Sequence, residues 1–436
     1  MRHADQLSRY RLNPAQLVLV CGSVTLLVSI PQPGHTNIAP PVAIRSSTAA
    51  PVSLVSSGDR LLRTGNIKAA ADSYGRAAQS SPSQPLYQIM AGVALASAGR
   101  MNDALVAFRR ADKLARGGDV LASLLVQGIL SERSEDSAEA QALYAKTVKR
   151  FSRPGTAGLD TTTSVARLVQ AQKQFPQSPI VSLLLGDTYQ LAEQWAKAEA
   201  SYRLSIKLAP GWVKPRINLG LCQLAQGRST EAVTAFQGAL SLDPSNTQAQ
   251  IAKADAQLQS GSLDDAVLSY RKVENSSNSR VAAQAATGIG QAYAQRGQVT
   301  EAVKSLNRAK ILAPADPTPA AALAEVQSQA GNYPAAAREY SEALRLSGGG
   351  LFASKGILYR ALAETQLSAR NSDGAIATIN RALAEEPSSR PLWYRLWAQA
   401  LFLRGDASGG EVKLKQSLES EGSRYPLDAL NALNAR

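Results

Sequence analysis

The sequence predicts an all-α chain made by stacking copies of one small helical hairpin, and three observations carry that prediction. The first is the stretch Val213 to Asn246, VKPRINLGLCQLAQGRSTEAVTAFQGALSLDPSN. It reads as two amphipathic helices: Leu219, Gly220 and Gln223 share one face of the first, and Ala232, Phe236 and Ala239 recur at i, i+4 and i+7 on the second. Gly227 ends the first helix. Pro244 stops the second, because proline has no N–H for the helical ladder and restricts the residue before it. The second observation is recurrence. A hairpin of this size cannot bury its apolar faces alone, and copies of it flank this one on both sides. The third is composition: 44% hydrophobic residues with only 5% aromatic, weighted towards alanine and leucine, suits close helix packing better than sheets.

The copies fall into one register. Positions are numbered within the repeat so that the turn glycine is 15 and the stop proline 32. Position 8, small where two helices cross, reads Gly58, Gly92, Gly186, Gly220, Ala254, Gly290, Ala324, Ala363 and Ala398. The turn reads Gly65, Gly99, Gly227, Gly261, Gly297, Gly331 and Gly405, with Glu193 and Arg370 as departures. Position 20 reads Ala70, Ala104, Ala198, Ala232, Ala266, Ala302, Ala336 and Ala375; position 24 holds Tyr74, Phe108, Tyr202, Phe236, Tyr270, Leu306, Tyr340 and Ile379. Pro82, Pro210, Pro244, Pro314 and Pro387 occupy position 32. This pattern resembles the tetratricopeptide repeat (TPR), a helix–turn–helix unit of about 34 residues. The resemblance covers residues 51–422, poorly around 119–178. It implies a right-handed α-solenoid of about ten repeats with a C-terminal capping helix.

Taken in order, residues 1–14 carry Arg2, Arg9 and Arg11 against Asp5, and Ala15 to Ile30 form an apolar run, AQLVLVCGSVTLLVSI. A basic stretch followed by an apolar one marks residues 1–30 as a secretory signal or a signal anchor. Sixteen residues of helix span roughly 24 Å, short of a ~30 Å hydrocarbon core, which favours a signal; the lack of a nearby small-x-small cleavage site favours an anchor. Cys21 within the run leaves a lipoprotein open, although Val20 is bulky for that motif. A buried helix is the remaining reading. In the export readings the arginines stay in the cytoplasm and the repeats face the other side, periplasmic or extracytoplasmic. Residues 31–50, rich in Pro, Ser, Thr and Ala, read as a linker.

Repeats one to three occupy 51–154, the third retaining Gly128, Ala140 and Tyr144 but placing Glu135 at the turn. Residues 155–178 read as an irregular bend with one extra helix, about Ser164 to Gln174, capped by Asp160 or Thr161 to Thr163 and ended by Phe175-Pro176, with a fully degenerate repeat as the alternative. Repeats four to eight fill 179–346, starting at Pro179, Val213, Thr247, Ala283 and Pro317. The glycine-rich insertion 347–355 predicts a second bend, since three glycines have too much chain entropy for a helix. Repeats nine and ten follow at 356–422, the tenth decaying in its second helix at Gly409-Gly410. Leu427, Leu430 and Leu433 after Pro426 predict a capping helix over 423–436.

Charge and chemistry exclude more than they assign. The net charge is +13, and residues 1–118 carry over half of that excess, whereas 317–422 is balanced. Arg109, Arg110, Lys113 and Arg116 lie on one helix without aromatic neighbours, so a solvated face explains them better than a nucleic-acid site; an anionic membrane surface is the next reading. The two histidines, His3 and His35, lie outside the repeats, which removes histidine triads and metal sites. Gly288-Ile-Gly290 lies within a helix, so it is no dinucleotide loop. Asn275-Ser-Ser277 is a formal glycosylation sequon. Cys222 reads as a buried thiol. No enzyme and no cofactor is predicted.

The TPR resemblance implies instead a concave groove lined by positions 2, 5, 9, 12 and 13 of the first helices. Carried over, those positions supply apolar groups early (Val52, Val55, Leu86, Ile89, Val93, Ile217, Leu221 and Leu224). In the middle they supply Gln248, Asp255, Gln284, Gln291, Gln295, Glu325 and Gln329, and at the end Arg360, Glu364, Arg395 and Gln399. Relatives that clamp a chaperone's C-terminal carboxylates use Lys and Asn at positions 5 and 9 near the start; Val55, Asp59, Ile89 and Val93 stand there and do not support that activity. The expectation is a protein- or peptide-binding scaffold in a cell-envelope assembly. A carbohydrate- or peptidoglycan-binding module built on Phe402, Trp393 and Trp397 is one alternative. A membrane-anchored cytosolic adaptor is another.

Overall fold

The computed structural model describes residues 51–114, 161–347, 355–385 and 390–420. The apolar N-terminal run, the linker, the third repeat, the glycine-rich insertion at 348–354 and the capping segment lie outside those residues. Within them the chain forms nineteen α-helices and no strand, an all-α TPR solenoid architecture. No described helix is long and apolar enough to cross a membrane.

Nine hairpins are described. The first two are α1 (Pro51–Arg63) with α2 (Ile67–Ser80), and α3 (Pro85–Ser97) with α4 (Met101–Leu114). The single helix α5 (Thr161–Gln174) comes next. Then follow α6 (Pro179–Leu191) with α7 (Trp195–Leu208), α8 (Lys214–Ala225) with α9 (Ser229–Leu240), and α10 (Thr247–Gln259) with α11 (Leu263–Arg271). The remaining hairpins are α12 (Ser279–Gln295) with α13 (Val299–Leu312), α14 (Pro317–Gln329) with α15 (Tyr333–Leu346), α16 (Lys355–Ser368) with α17 (Ser372–Glu385), and α18 (Arg390–Arg404) with α19 (Ala407–Ser420). They form two compact units, one ending at Asp265 and the other starting at Ala266.

The repeat register explains how each hairpin closes. The small residue at position 8 lets the ring at position 24 lie flat on the first helix: a Cβ added at Gly92 would sit 2.3 Å from the Phe108 ring, and one at Gly220 would sit 2.6 Å from Phe236. Tyr74, Phe108, Tyr202 and Phe236 are consequently almost fully buried, each removing a large apolar area from water. Chain reversal needs a left-handed residue, which glycine adopts without a Cβ penalty; Gly227 has φ 74°. Glu193 and Arg370, the two departures in sequence, take the same conformation at φ 55° and 57°. The register holds there although the residue does not favour it.

Two elements differ from the sequence expectation. Helix α12 starts four residues before Ala283, at Ser279, because the Asn278 side chain accepts from Arg280 N and Val281 N and caps the earlier turn. Helix α19 runs through Gly409-Gly410 instead of decaying there. Asp406 accepts from Gly409 N at 2.9 Å, and the Phe402 ring packs where a Cβ at Gly410 would go, so a cap and a contact offset the glycine entropy.

Candidate interaction groove

In the first two hairpins the first-helix faces are closed. Helix α6 packs against both α1 and α3, so the face that would line an open groove meets another helix. Val55, Ile89, Val93, Ile217 and Leu224, expected to line the groove, are buried in the core. Leu86 and Leu221 are partly buried against it, and of this set only Val52 is exposed. The apolar character that suggested a binding surface in sequence is the reason these positions pack.

Two polar contacts pin that closure. The Asp59 carboxylate is 4% exposed and accepts from Tyr74 Oη at 2.6 Å and from Ser178 Oγ at 2.6 Å, the latter from the cap of α6. Burial pushes the Asp59 pKa up to about 6, although both hydrogen bonds and Arg63 oppose the shift. Trp212, fully buried, donates from Nε1 to Ser97 Oγ at 3.2 Å. Phe175, just after α5, meets Tyr87 edge-to-face at 6.4 Å. Cys222 is buried, and burial together with Glu199 lifts its thiol pKa to about 12, which leaves it a packing group at neutral pH.

Sequence reasoning missed the pairing of position 9 with position 24. Asp187 repeats the Asp59 arrangement, accepting from Tyr202 Oη at 2.8 Å and from Asn218 Nδ2 at 2.8 Å; burial raises its pKa. The signal was present. Aspartate at position 9 accompanies tyrosine at position 24 (59 with 74, 187 with 202, 255 with 270), whereas Val93, Leu221 and Gln291 accompany Phe108, Phe236 and Leu306. Asp255, half-buried on α10 and engaged in a side-chain interaction, stands where its two counterparts hold the hairpin together. Gln248 is half-buried on the same helix.

In the second unit the corresponding face is open. Gln295, Glu325, Gln329, Arg395 and Gln399 are exposed, and Gln284, Gln291, Arg360 and Glu364 are half-buried. Helices α12 and α14 pack side by side, which places Gln291 and Glu325 at equivalent points of neighbouring helices. Gln329 Nε2 donates to Glu325 Oε1 at 3.2 Å. Arg360 lies 3.8 Å from Glu364, whose pKa burial raises against that cation. Of the three aromatics at the far end, Trp393 is buried and Lys413 sits over the Trp397 ring at 3.9 Å. Phe402, 41% exposed, is the one ring left open on this face. Beside the last hairpin, Ile376, Trp397, Leu401, Val412 and Lys413 line an open cleft of about 540 Å³.

The chain matches the family described as "Tetratricopeptide repeat" over residues 56–119, 217–280, 273–317 and 321–391. Comparison with curated proteins gives no match. Among solved structures, yeast Tom70 is 15% identical, with 88% of each chain covered and a TM-score of 0.48. A tetratricopeptide repeat protein from Parabacteroides merdae is 17% identical, covering 62% of this chain and 97% of its own, with a TM-score of 0.40. A TPR protein from Thermus thermophilus is 23% identical over 44% of this chain and 99% of its own, with a TM-score of 0.36. With more than half of its length matched in four segments, the chain belongs to the tetratricopeptide repeat family.

Proposed function

We propose that this protein is a non-catalytic scaffold that holds partner proteins or peptides along the open first-helix face of residues 266–420. The observation that carries this reading is the solvent access of polar side chains at position 9 of α12, α14 and α18, where Gln291 is half-buried and Glu325 and Gln399 are exposed; the same position is packed shut in the first two hairpins. An amide-rich surface can both donate to and accept from an extended backbone. It is a poor choice for a seam between repeats, where an unsatisfied amide is costly.

The setting that fits is an exported one, a cell-envelope assembly with the repeats outside the cytoplasm. Arg2, Arg9 and Arg11 before the apolar run Ala15 to Ile30 support it. A reporter active only after export, fused behind Arg436, should be active, and deletion of residues 15–30 should silence it. An unchanged compartment after the deletion rules out that targeting role.

The groove is tested by crosslinking the full chain in its source cells and measuring affinity for what co-purifies. Changing Gln284, Gln291 and Glu325 together to Ala should weaken binding at least tenfold, about 1.4 kcal/mol, with helicity and melting nearly unchanged. Unchanged affinity in that variant, with loss on changing Arg109 and Arg110, moves the site to the outer basic face.

A further inference from the structure

The groove leaves its guest's chemistry open, and Glu325 narrows it. At position 9 the aspartates Asp59 and Asp187 turn inward and accept from the tyrosine at position 24. Glu325 occupies position 9 with Tyr340 at position 24, but its side chain is one methylene longer and stands exposed on the groove face. Its hydrogen bond comes from Gln329 Nε2, an uncharged donor on the same helix. Among the described residues no cation pairs with it. Glu364 on α16, by contrast, has Arg360 at 3.8 Å.

The surroundings make that isolation costly. Glu325 stands on the face shared by the packed helices α12 and α14, and desolvation by the surrounding protein raises its pKa with no cation to oppose the shift. A carboxylate lacking a counter-charge attracts an incoming cation more strongly than one already paired, as Glu364 is with Arg360. Around it stand amides: Gln284, Gln291 and Gln295 on α12, and Gln329 on α14. Packed helices lie about 8–10 Å apart, the reach of roughly three residues of extended chain. One peptide strand can therefore meet the α12 amides and Glu325 together.

We propose that this face takes an extended peptide segment bearing a lysine or arginine, whose cation pairs with Glu325 while the glutamine amides bond its backbone. This rests on the groove reading above and adds the sign of the guest. Acidic segments are disfavoured at the same point.

The test uses the full chain on an array of randomised, N-acetylated and C-amidated decapeptides. The wild-type chain should select peptides with Lys or Arg at one fixed position. Glu325→Gln should reduce the preference for basic over neutral peptides at least tenfold while leaving the melting temperature unchanged. Glu325→Lys should turn the preference towards Asp or Glu. A basic preference that survives Glu325→Gln, in a chain whose peptide binding still falls when Gln284 and Gln291 become Ala, overturns this inference and leaves the groove standing. Peptides that respond to neither change overturn both. An array returning no Glu325-dependent basic selection also overturns the inference.

Discussion

The first two hairpins and the hairpins of the second unit use the same positions of the same repeat for opposite ends. In the first, positions 5 and 9 of α1 and α3 hold Val55, Asp59, Ile89 and Val93, all buried. In the second, position 9 of α12, α14 and α18 holds Gln291, Glu325 and Gln399, half-buried or exposed. The hairpin itself is unchanged, with a small residue at position 8 and a bulky one at position 24 in both. What differs is whether the first-helix face is apolar enough to gain more from burial than from solvation. The first-helix face of this chain is thus kept open by composition at a few positions, and closing it takes only aliphatic residues there with another helix to meet them.

Substitutions on the sealed and on the open side of that contrast should separate sharply. Trp212→Ala should cost about 3–5 kcal/mol and Ile89→Ala about 2–5 kcal/mol in urea denaturation, through lost burial and the cavity left behind. Comparable losses at Gln291 or Gln399 would erase the distinction between the units.

The Asp59 contact gives the next largest effect, and it depends on pH. A carboxyl raised from 3.8 to about 6 on folding binds protons more tightly in the folded chain. Its favourable contribution is therefore fully present below about pH 4 and is lost as pH rises towards 6. At 1.36 kcal/mol per unit this amounts to about 2–3 kcal/mol. Asp59→Asn should remove that slope from denaturation curves taken between pH 4 and 7, and should raise stability at neutral pH. An identical slope in the variant would deny the carboxylate its buried setting.

The turns offer a smaller effect that both units should share. Glu193→Gly and Arg370→Gly should each stabilise by about 1 kcal/mol, since both residues hold a left-handed conformation that glycine adopts freely. Gly227→Ala should destabilise by a similar amount. Smallest of all, replacing Gln284, Gln291 and Glu325 by Ala should shift stability by under about 0.5 kcal/mol each.

The repeat was legible because its determinants are local and periodic. Gly220, Phe236 and Gly227 fix a crossing, a ring and a turn within one hairpin, and even Glu193 could be placed at its turn by counting from its neighbours. The closure of the first unit was not legible from the same pattern. It depends on Ser178 meeting Asp59 across 119 residues and on Trp212 meeting Ser97 across 115, contacts that no periodicity encodes. Aliphatic residues at groove positions read equally well as a sticky surface or a sealed one. The aspartate–tyrosine pairing lay between these cases, written in the register as a correlation of positions 9 and 24 and recognisable once the geometry joined them. The glycines at 409–410 misled because helix propensity at one dipeptide yields to the Asp406 cap and the Phe402 contact.

The contrast between a sealed and an open face is tested most directly by thiol labelling at one repeat position in each unit. Val93→Cys and Gln399→Cys both fall at position 9, and each would be made in a full chain whose Cys21 and Cys222 are replaced by serine. Under native conditions a small maleimide should modify the Gln399→Cys variant at the rate of an unstructured thiol. It should modify the Val93→Cys variant at least 100-fold more slowly, the protection given by an opening free energy of about 2.8 kcal/mol or more. Equal rates at the two positions would contradict the account.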